Sequence, residues 1–496
     1  MNLYEEWVKL LQETGPGKMM TTAYDTAWIA RLVEIGESIG DLALAWLREN
    51  QLPDGSWGAE QPLYYHDRVI CTLAAVNALA RRGRPGDRDR LRRAEAALGI
   101  MTPRLHEDPA GETIGFELIA PTLFQEAKAL GAFHNEEIGV LKSLAPLRSA
   151  KLAALPNGMI NRFVTVAFSA EMAGNDGKDL LDIEHLQEQD GSISYSPSAT
   201  TYFALYLCRR DPDALAYLRT VAADGTAPNV SPFDVFEQAW VLWNLKLSNT
   251  IDDGIFELCR PHLDFLRNDW TPGRGSGFAA NYAPKDADGT SVVYSVLTQY
   301  GHKVDLAAIT HYETSYYFRC FDLESNPSVS ANIHVLGALR EAGLQATHPT
   351  VRKILNFLDA TRTDESFWFD KWHASPYYAT AHAIIACIGY RSDLVEKAIQ
   401  WILDTQGEQG AWGYYSPTAE ETAYCLQALS VADRAGLSVP LAVLKHGADW
   451  LVCHNSSPYT PLWIGKCLYC PELVVRSAIL SALTLVKQIE DENQAD

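Results

Sequence analysis

Along most of this chain apolar residues return every three to four positions, in segments such as DRVICTLAAVNALARR (67–82) and PELVVRSAILSALTLVKQ (471–488). That spacing lays an apolar stripe along one face of an α-helix, and the Gly-, Pro- and Asp-rich turns between segments keep each helix short. The first predicted helix, in MNLYEEWVKLLQETG, sets Leu3, Trp7, Leu10 and Leu11 on one face with acidic residues opposite. It lacks the basic start and apolar core of a secretory signal. Alternating patterns that would mark half-buried strands are scarce, so the expected fold class is all-α.

All-α chains of this length commonly stack helix pairs as repeats, and a repeat is present. In WLRENQLPDGSW, Trp46 and Leu47 are followed by Gln51, Gly55 and Trp57; WILDTQGEQGAW returns the same spacing with Trp401, Ile402, Gln406, Gly410 and Trp412. Weaker copies stand around Gln187 and Gly191, and around Phe357, Leu358 and Trp368. The physical reading is local: the Gln bonds backbone groups at neighbouring helix ends, the Gly permits a tight turn, and the Trp packs across the junction. Such repeats build toroids with inner and outer rings of helices. Copies at both ends of the chain imply two α-barrel domains, with a compositional boundary in VAADGTAPNVSPFD (221–234).

A chain of 496 residues has ample apolar area for two or three domains and an internal cavity. Its formal net charge of -21 disfavours nucleic acid and anionic membrane surfaces. No uninterrupted apolar stretch is long enough to span a bilayer. The nine cysteines are scattered through apolar helical surroundings and read as reduced thiols, so the expected location is the cytoplasm.

Few motifs carry chemistry. PKDADGTS (284–291) sets Asp286 and Asp288 one residue apart beside Gly289 and Thr290, which taken alone is turn composition. Cys467 and Cys470 have the spacing of half a zinc site with no second pair to complete it. His373 and His382, nine apart, do not share a metal-binding helix face and read as core histidines.

The Gln-Trp repeat resembles that of the squalene-hopene cyclase and copalyl diphosphate synthase superfamily. TTAYDTAWIA (21–30) is similar to the Ser-Ala-Tyr-Asp-Thr-Ala-Trp signature of its class II diterpene cyclases, and GFELIAP, DGSISYSPSAT, DKWHASPYYAT and PLWIGKCLY continue the likeness almost to the C-terminus. Within that family the chain most resembles the halimadienyl (tuberculosinyl) diphosphate synthase branch. The resemblance implies a β domain over residues 1–18 and 235–496, with a γ domain inserted at 19–234.

It also implies roles. DADGT falls where the family carries Asp-x-Asp-Asp-Thr, whose middle Asp, here Asp288, is the general acid that protonates an alkene; such a proton donor must be neutral and shielded from water. Asp286 would position Asp288 or bias it toward its protonated form, since neighbouring like charges resist joint ionisation. Gly289 departs from the family's last Asp, and Thr290 is a candidate to stand in for it. Glu117, in GFE, corresponds to a magnesium-linked Glu, and Lys151 to a diphosphate-binding lysine. Aromatics of HYETSYYF and WFDKWH are candidates to stabilise cations through their ring faces. IDDGIFE (251–257) lacks the fifth-place Asp of motifs that ionise diphosphates, so the expected reaction retains the diphosphate.

The implied substrate is geranylgeranyl diphosphate, the cofactor Mg²⁺, and the product a bicyclic diterpenyl diphosphate passed to a downstream terpene or prenyl-transfer enzyme. A copalyl-type product, a zinc-dependent prenyltransferase subunit and a non-catalytic prenyl-diphosphate-binding protein are the alternatives.

Overall fold

The Gln-Trp repeat folds as a tied turn. Indole Nε1 of Trp57, Trp368 and Trp412 donates at 2.8 Å to the carbonyls of Leu47, Leu358 and Ile402 respectively. Gln51 Nε2 donates both to Gly55 O and to Arg90 O, joining the outer helices Ser38–Glu49 and Arg88–Met101. Gln406 does the same with Gly410 O and Val443 O, and Gln187 repeats the first bond with Gly191 O. Gly55 and Gly410 have φ near +93° and +92°, and a Cβ there would lie 2.6 Å from Arg93 O and 2.5 Å from His446 O. Only glycine meets both demands.

The computed structural model describes residues 2–133, 139–322, 324 and 326–495. The chain divides into two units, one comprising Met1–Lys18, Phe233–Thr460 and Cys470–Asp496, the other Met19–Pro232 and Pro461–Tyr469.

In the first unit the helices Asp234–Leu247, Ala287–Gln299, Val329–Glu341, Pro376–Cys387, Ala419–Arg434 and Glu472–Ala495 each pack on the next, and the last returns to the first. These form an inner ring and are buried on nearly all sides, whereas an outer helix such as Pro349–Ala360 buries only the stripe Val351, Ile354, Leu355 and Leu358. In the second unit Ala23–Ala30, Tyr65–Arg82, Phe116–Ala129, the 3₁₀ segment Thr165–Ala173 and Pro197–Tyr202 close a similar ring. The fold is all-α apart from the short hairpin Trp463–Ile464 with Leu468–Tyr469 among the described residues. No helix of the described residues is long and apolar enough to cross a membrane.

Two details differ from the expected boundaries of 1–18 with 235–496 and of 19–234. Phe233 and Asp234 belong to the first unit, where Phe233 stacks on Phe236 at 4.4 Å. Residues 461–469 belong to the second: Leu468 N–H donates to Asp67, and Lys466 is buried among Glu171, Ser196 and Ser198.

Candidate active site

Asp286 and Asp288 stand at the start of the inner helix Ala287–Gln299. Asp286 is its N-cap, with Oδ1 accepting from Gly289 N–H at 2.6 Å. Capping satisfies one of the unpaired amides at a helix start and sets a carboxylate at its positive end. Burial still dominates: it pushes the Asp286 carboxyl up to about 7, helped by the negative charge of Asp288 and opposed by the Gly289 N–H. Burial thus keeps a proton on Asp286, beside Asp288, to near neutral pH.

Asp288 makes a different contact. Its Oδ1 lies 2.6 Å from His334 Nδ1, and His334 Nε2 lies 2.9 Å from His382 Nδ1. One set of tautomers fits an acid here: His334 Nδ1–H donates to Oδ1, leaving the other oxygen of Asp288 to carry the mobile proton, and His382 Nδ1–H donates to His334 Nε2. His382 Nε2 is buried with no hydrogen-bond partner among the described residues. Burial first, then the neighbouring His334 and His373, holds His382 well below the usual histidine range, so it is neutral. Both histidines border a cavity of about 150 Å³ near the C-terminal ends of the inner helices, alongside Ser295, Gln299, Arg340 and Glu341.

The scaffold around this chain of contacts is fixed by hydrogen bonds. Asp370 accepts from the Val329 and Ser330 amides and from both hydroxyls of Ser328 and Ser330, anchoring the helix of His334. Arg340 on that same helix donates to the carbonyls of Ile385, Ala386 and Ile388, closing the end of the helix that carries His382. The rings about the histidines are Trp240, Trp243, Tyr378 and Tyr424, with Phe236 stacked 3.8 Å from Trp240.

Among the aromatics of HYETSYYF and WFDKWH, Tyr312 and Phe318 are buried. Trp368 is a repeat anchor and Tyr316 is 79% exposed. His382 is buried, as a core histidine, and also bonds His334, the residue that contacts Asp288 and that no motif marks. A signal for both was present: His334 follows Asp288 by 46 residues and His382 follows His334 by 48, about one helix pair each, so successive inner helices present all three.

Thr290 does not reach Asp288. Its Oγ1 accepts from Ser276 N–H and donates to Ser276 O, and it packs so close to Gly275 that a Cβ there would lie 2.2 Å away. Glu117 and Lys151, in the second unit, form an ion pair with each other. Beside them burial and the charge of Glu117 push the Glu112 carboxyl up, as expected for two carboxylates close together. This set of oxygen donors with an adjacent ammonium fits a Mg²⁺-diphosphate head group. Asp252 of IDDGIFE is a helix N-cap. Cys467 sits with Cys71 and Asp67, whose two oxygens already accept from Leu468 and Ala59 amides.

The TTAYDTAW signature has structural work. Asp25 accepts from Thr22 and Asn229 side chains and from Ser198 N–H; Tyr24 donates to Glu171, which also takes the Lys466 ammonium at 2.6 Å. Lys466 donates to Ser196 and Ser198 at 2.7 Å each, completing a buried polar network.

Residues 320–452 match the family model for the squalene-hopene cyclase C-terminal domain. The chain is 45% identical over 98% of its length, and 99% of the relative's, to a type B diterpene cyclase of Mycobacterium tuberculosis (strain ATCC 25618 / H37Rv). It is 31% identical over 91% of its length to an ent-copalyl diphosphate synthase of Streptomyces sp. (strain KO-3988), covering 89% of that protein. Among solved structures it is similar to the ent-copalyl diphosphate synthase of Streptomyces platensis, with TM-score 0.81 and 30% identity over 98% of this chain and all of that one. With its two α-barrel units and these near full-length likenesses, this chain belongs to the class II diterpene cyclases.

Proposed function

We propose that this cyclase protonates the terminal alkene of geranylgeranyl diphosphate with Asp288 and releases a bicyclic diterpenyl diphosphate of the halimadienyl (tuberculosinyl) type. The observation that carries this reading is the 2.6 Å contact of Asp288 with His334, next to the Asp286 carboxyl that burial keeps protonated to near neutrality. A proton leaves Asp288 and forms a C–H bond at one alkene carbon; the cation at the other closes two rings, shifts hydride and methyl groups, and loses a proton. The net change is isomerisation, and Asp288 regains its proton from solvent.

His334 is the positioning residue. Its Nδ1–H stabilises the carboxylate that forms as the proton departs, a charge-assisted bond stronger than the one to the neutral acid. The neutral His382 fixes the tautomer of His334. Phe236, Trp240 and Tyr378 supply ring faces and exclude water, each cation contact contributing roughly 0.5 to 2 kcal/mol.

Glu117, with Glu112 beside it, would hold Mg²⁺, and Lys151 would meet the diphosphate. The ion supplies counter-charge to a head group that this acidic chain would otherwise repel. No bond to the diphosphate breaks, so the product must be consumed by a reaction that ionises or transfers it.

The test is incubation with geranylgeranyl diphosphate with and without Mg²⁺, phosphatase treatment, and mass spectrometry with NMR of the resulting alcohol. A halimadienyl alcohol appearing only after phosphatase supports the reading. A copalyl skeleton would replace the product assignment, and hydrocarbon with free pyrophosphate would overturn diphosphate retention.

A further inference from the structure

Cys467, one half of the zinc spacing in CLYC, finds its partners within the second unit and not at Cys470, which belongs to the first. Its Sγ, the Sγ of Cys71 and a carboxylate oxygen of Asp67 all lie within 4.8 Å of one another, and all three residues are buried. Asp67 and Cys71 stand four apart on the inner helix Tyr65–Arg82 and so share one face. Cys467 comes to them from the turn of the hairpin Trp463–Ile464 with Leu468–Tyr469.

Asp67 is a buried carboxyl that joins no ion pair among the described residues. Its oxygens accept from the Leu468 and Ala59 amides and from the Cys71 thiol. The adjacent Arg68 is committed to Asp54, Ser56 and the carbonyls of Ala59 and Glu60. Burial pushes the Asp67 carboxyl up in spite of both amides. Buried carboxylates in proteins are paired or hold metal ions, and this one lacks the pair.

The spacing suits an ion. Cys71 Sγ lies 3.6 Å from Asp67 Oδ1. On a tetrahedral zinc, bonds of about 2.3 Å to sulfur and 2.0 to 2.2 Å to oxygen set those two donors about 3.5 to 3.7 Å apart. An ion can therefore replace the thiol proton without moving the helix. Asn229 Nδ2 donates to Cys467 Sγ at 3.8 Å and to Asp25, the kind of outer-shell bond that orients a thiolate ligand. Two sulfurs with one carboxylate oxygen favour zinc over the hard Mg²⁺.

We propose that Asp67, Cys71 and Cys467 bind one Zn²⁺, with water as the fourth ligand, and that the ion ties the 461–469 segment to the inner helix of the second unit. Both thiols release their protons to solvent as the ion binds. Two positive charges replace two protons, so the net charge of the site is unchanged while the carboxylate gains a direct counter-ion. The role is structural, and the ligands all lie in the second unit, apart from the Asp288 acid in the first.

The test is the metal content of the full chain purified from cells grown with added zinc. Mass spectrometry of the metal should find one zinc per chain. The same chain from cobalt-supplemented cells should show a sulfur-to-cobalt charge-transfer band and the strong visible bands of a tetrahedral ion. Cys71→Ser and Cys467→Ser should each lower zinc content at least about tenfold, the least that loss of even an outer-shell partner costs. Cys453→Ser, at an exposed thiol, and Glu117→Ala should keep it. Stripping the parent with a strong chelator should lower its melting temperature, and zinc but not Mg²⁺ should restore it. The cobalt spectrum of the parent decides without any variant: absence of the charge-transfer band would overturn the proposal. So would zinc far below one per chain, content undiminished in both serine variants, or a disulfide joining Cys71 to Cys467 in the purified chain.

Discussion

Asp288 Oδ1 and His334 Nδ1 lie 2.6 Å apart although 46 residues separate them in the chain. Asp288→Asn keeps size and a hydrogen-bond acceptor but no acidic proton, so cyclisation should vanish while substrate still binds. Turnover near the parent rate would remove Asp288 from the mechanism. His334→Phe removes the donor and should lower kcat about a hundredfold with KM little changed, the range for one preorganised donor. His334→Gln should recover part of the loss; equal effects in both variants would mean packing alone.

Asp286 makes stability depend on pH. Its carboxyl moves from 3.8 to about 7 on folding, so between those values the folded chain holds a proton that the unfolded chain has released. Stability therefore falls as pH rises from about 4 to about 7 and is level beyond. Asp286→Asn can still cap Gly289, and denaturant melts should show it gaining on the parent across that window, by at most about 4 kcal/mol at 1.4 per unit.

Gly289→Asp would restore the family's third carboxylate. A Cβ there would meet Asp286 Oδ1 at 3.3 Å, so the side chain fits with a small shift and sets one more negative charge against the pair. The pH at which Asp286 releases its proton should rise, and an unmoved titration would show that residue 289 is electrostatically separate from Asp286.

Lys466 is wholly buried with its three partners Glu171, Ser196 and Ser198. Lys466→Met leaves the Glu171 charge unpaired and should cost about 3 to 5 kcal/mol in denaturant melts. Adding Glu171→Gln should restore much of that loss, and its failure to do so would locate the loss in packing.

Glu117→Ala should raise the Mg²⁺ concentration for half-maximal rate more than it lowers kcat, as for ground-state binding of a head group. An identical Mg²⁺ profile would free Glu117 from that role and leave it as the partner of Lys151 alone.

Local rules made the scaffold legible. The helical period, the turn glycines at 55 and 410 and the Gln-Trp spacing act over a few residues, and the structure uses them as their chemistry requires. The carboxylates at 286 and 288 could be found because they sit one residue apart. What Asp288 touches could not, since His334 and His382 approach only after helices from three successive repeats close side by side. The partner of Thr290 was hidden for a related reason: the helical turn that follows the Asp286 cap carries its hydroxyl to Ser276. The transfer of residues 461–469 to the second unit, and the meeting of Asp67 and Cys71 with Cys467, likewise rest on contacts across hundreds of residues. The sequence by itself determined the class of fold and marked out the carboxylates at 286 and 288, because each depends on neighbours along the chain. The tertiary structure alone decided which groups share a proton or a charge, because a hydrogen bond depends on distance in space and not on separation in sequence.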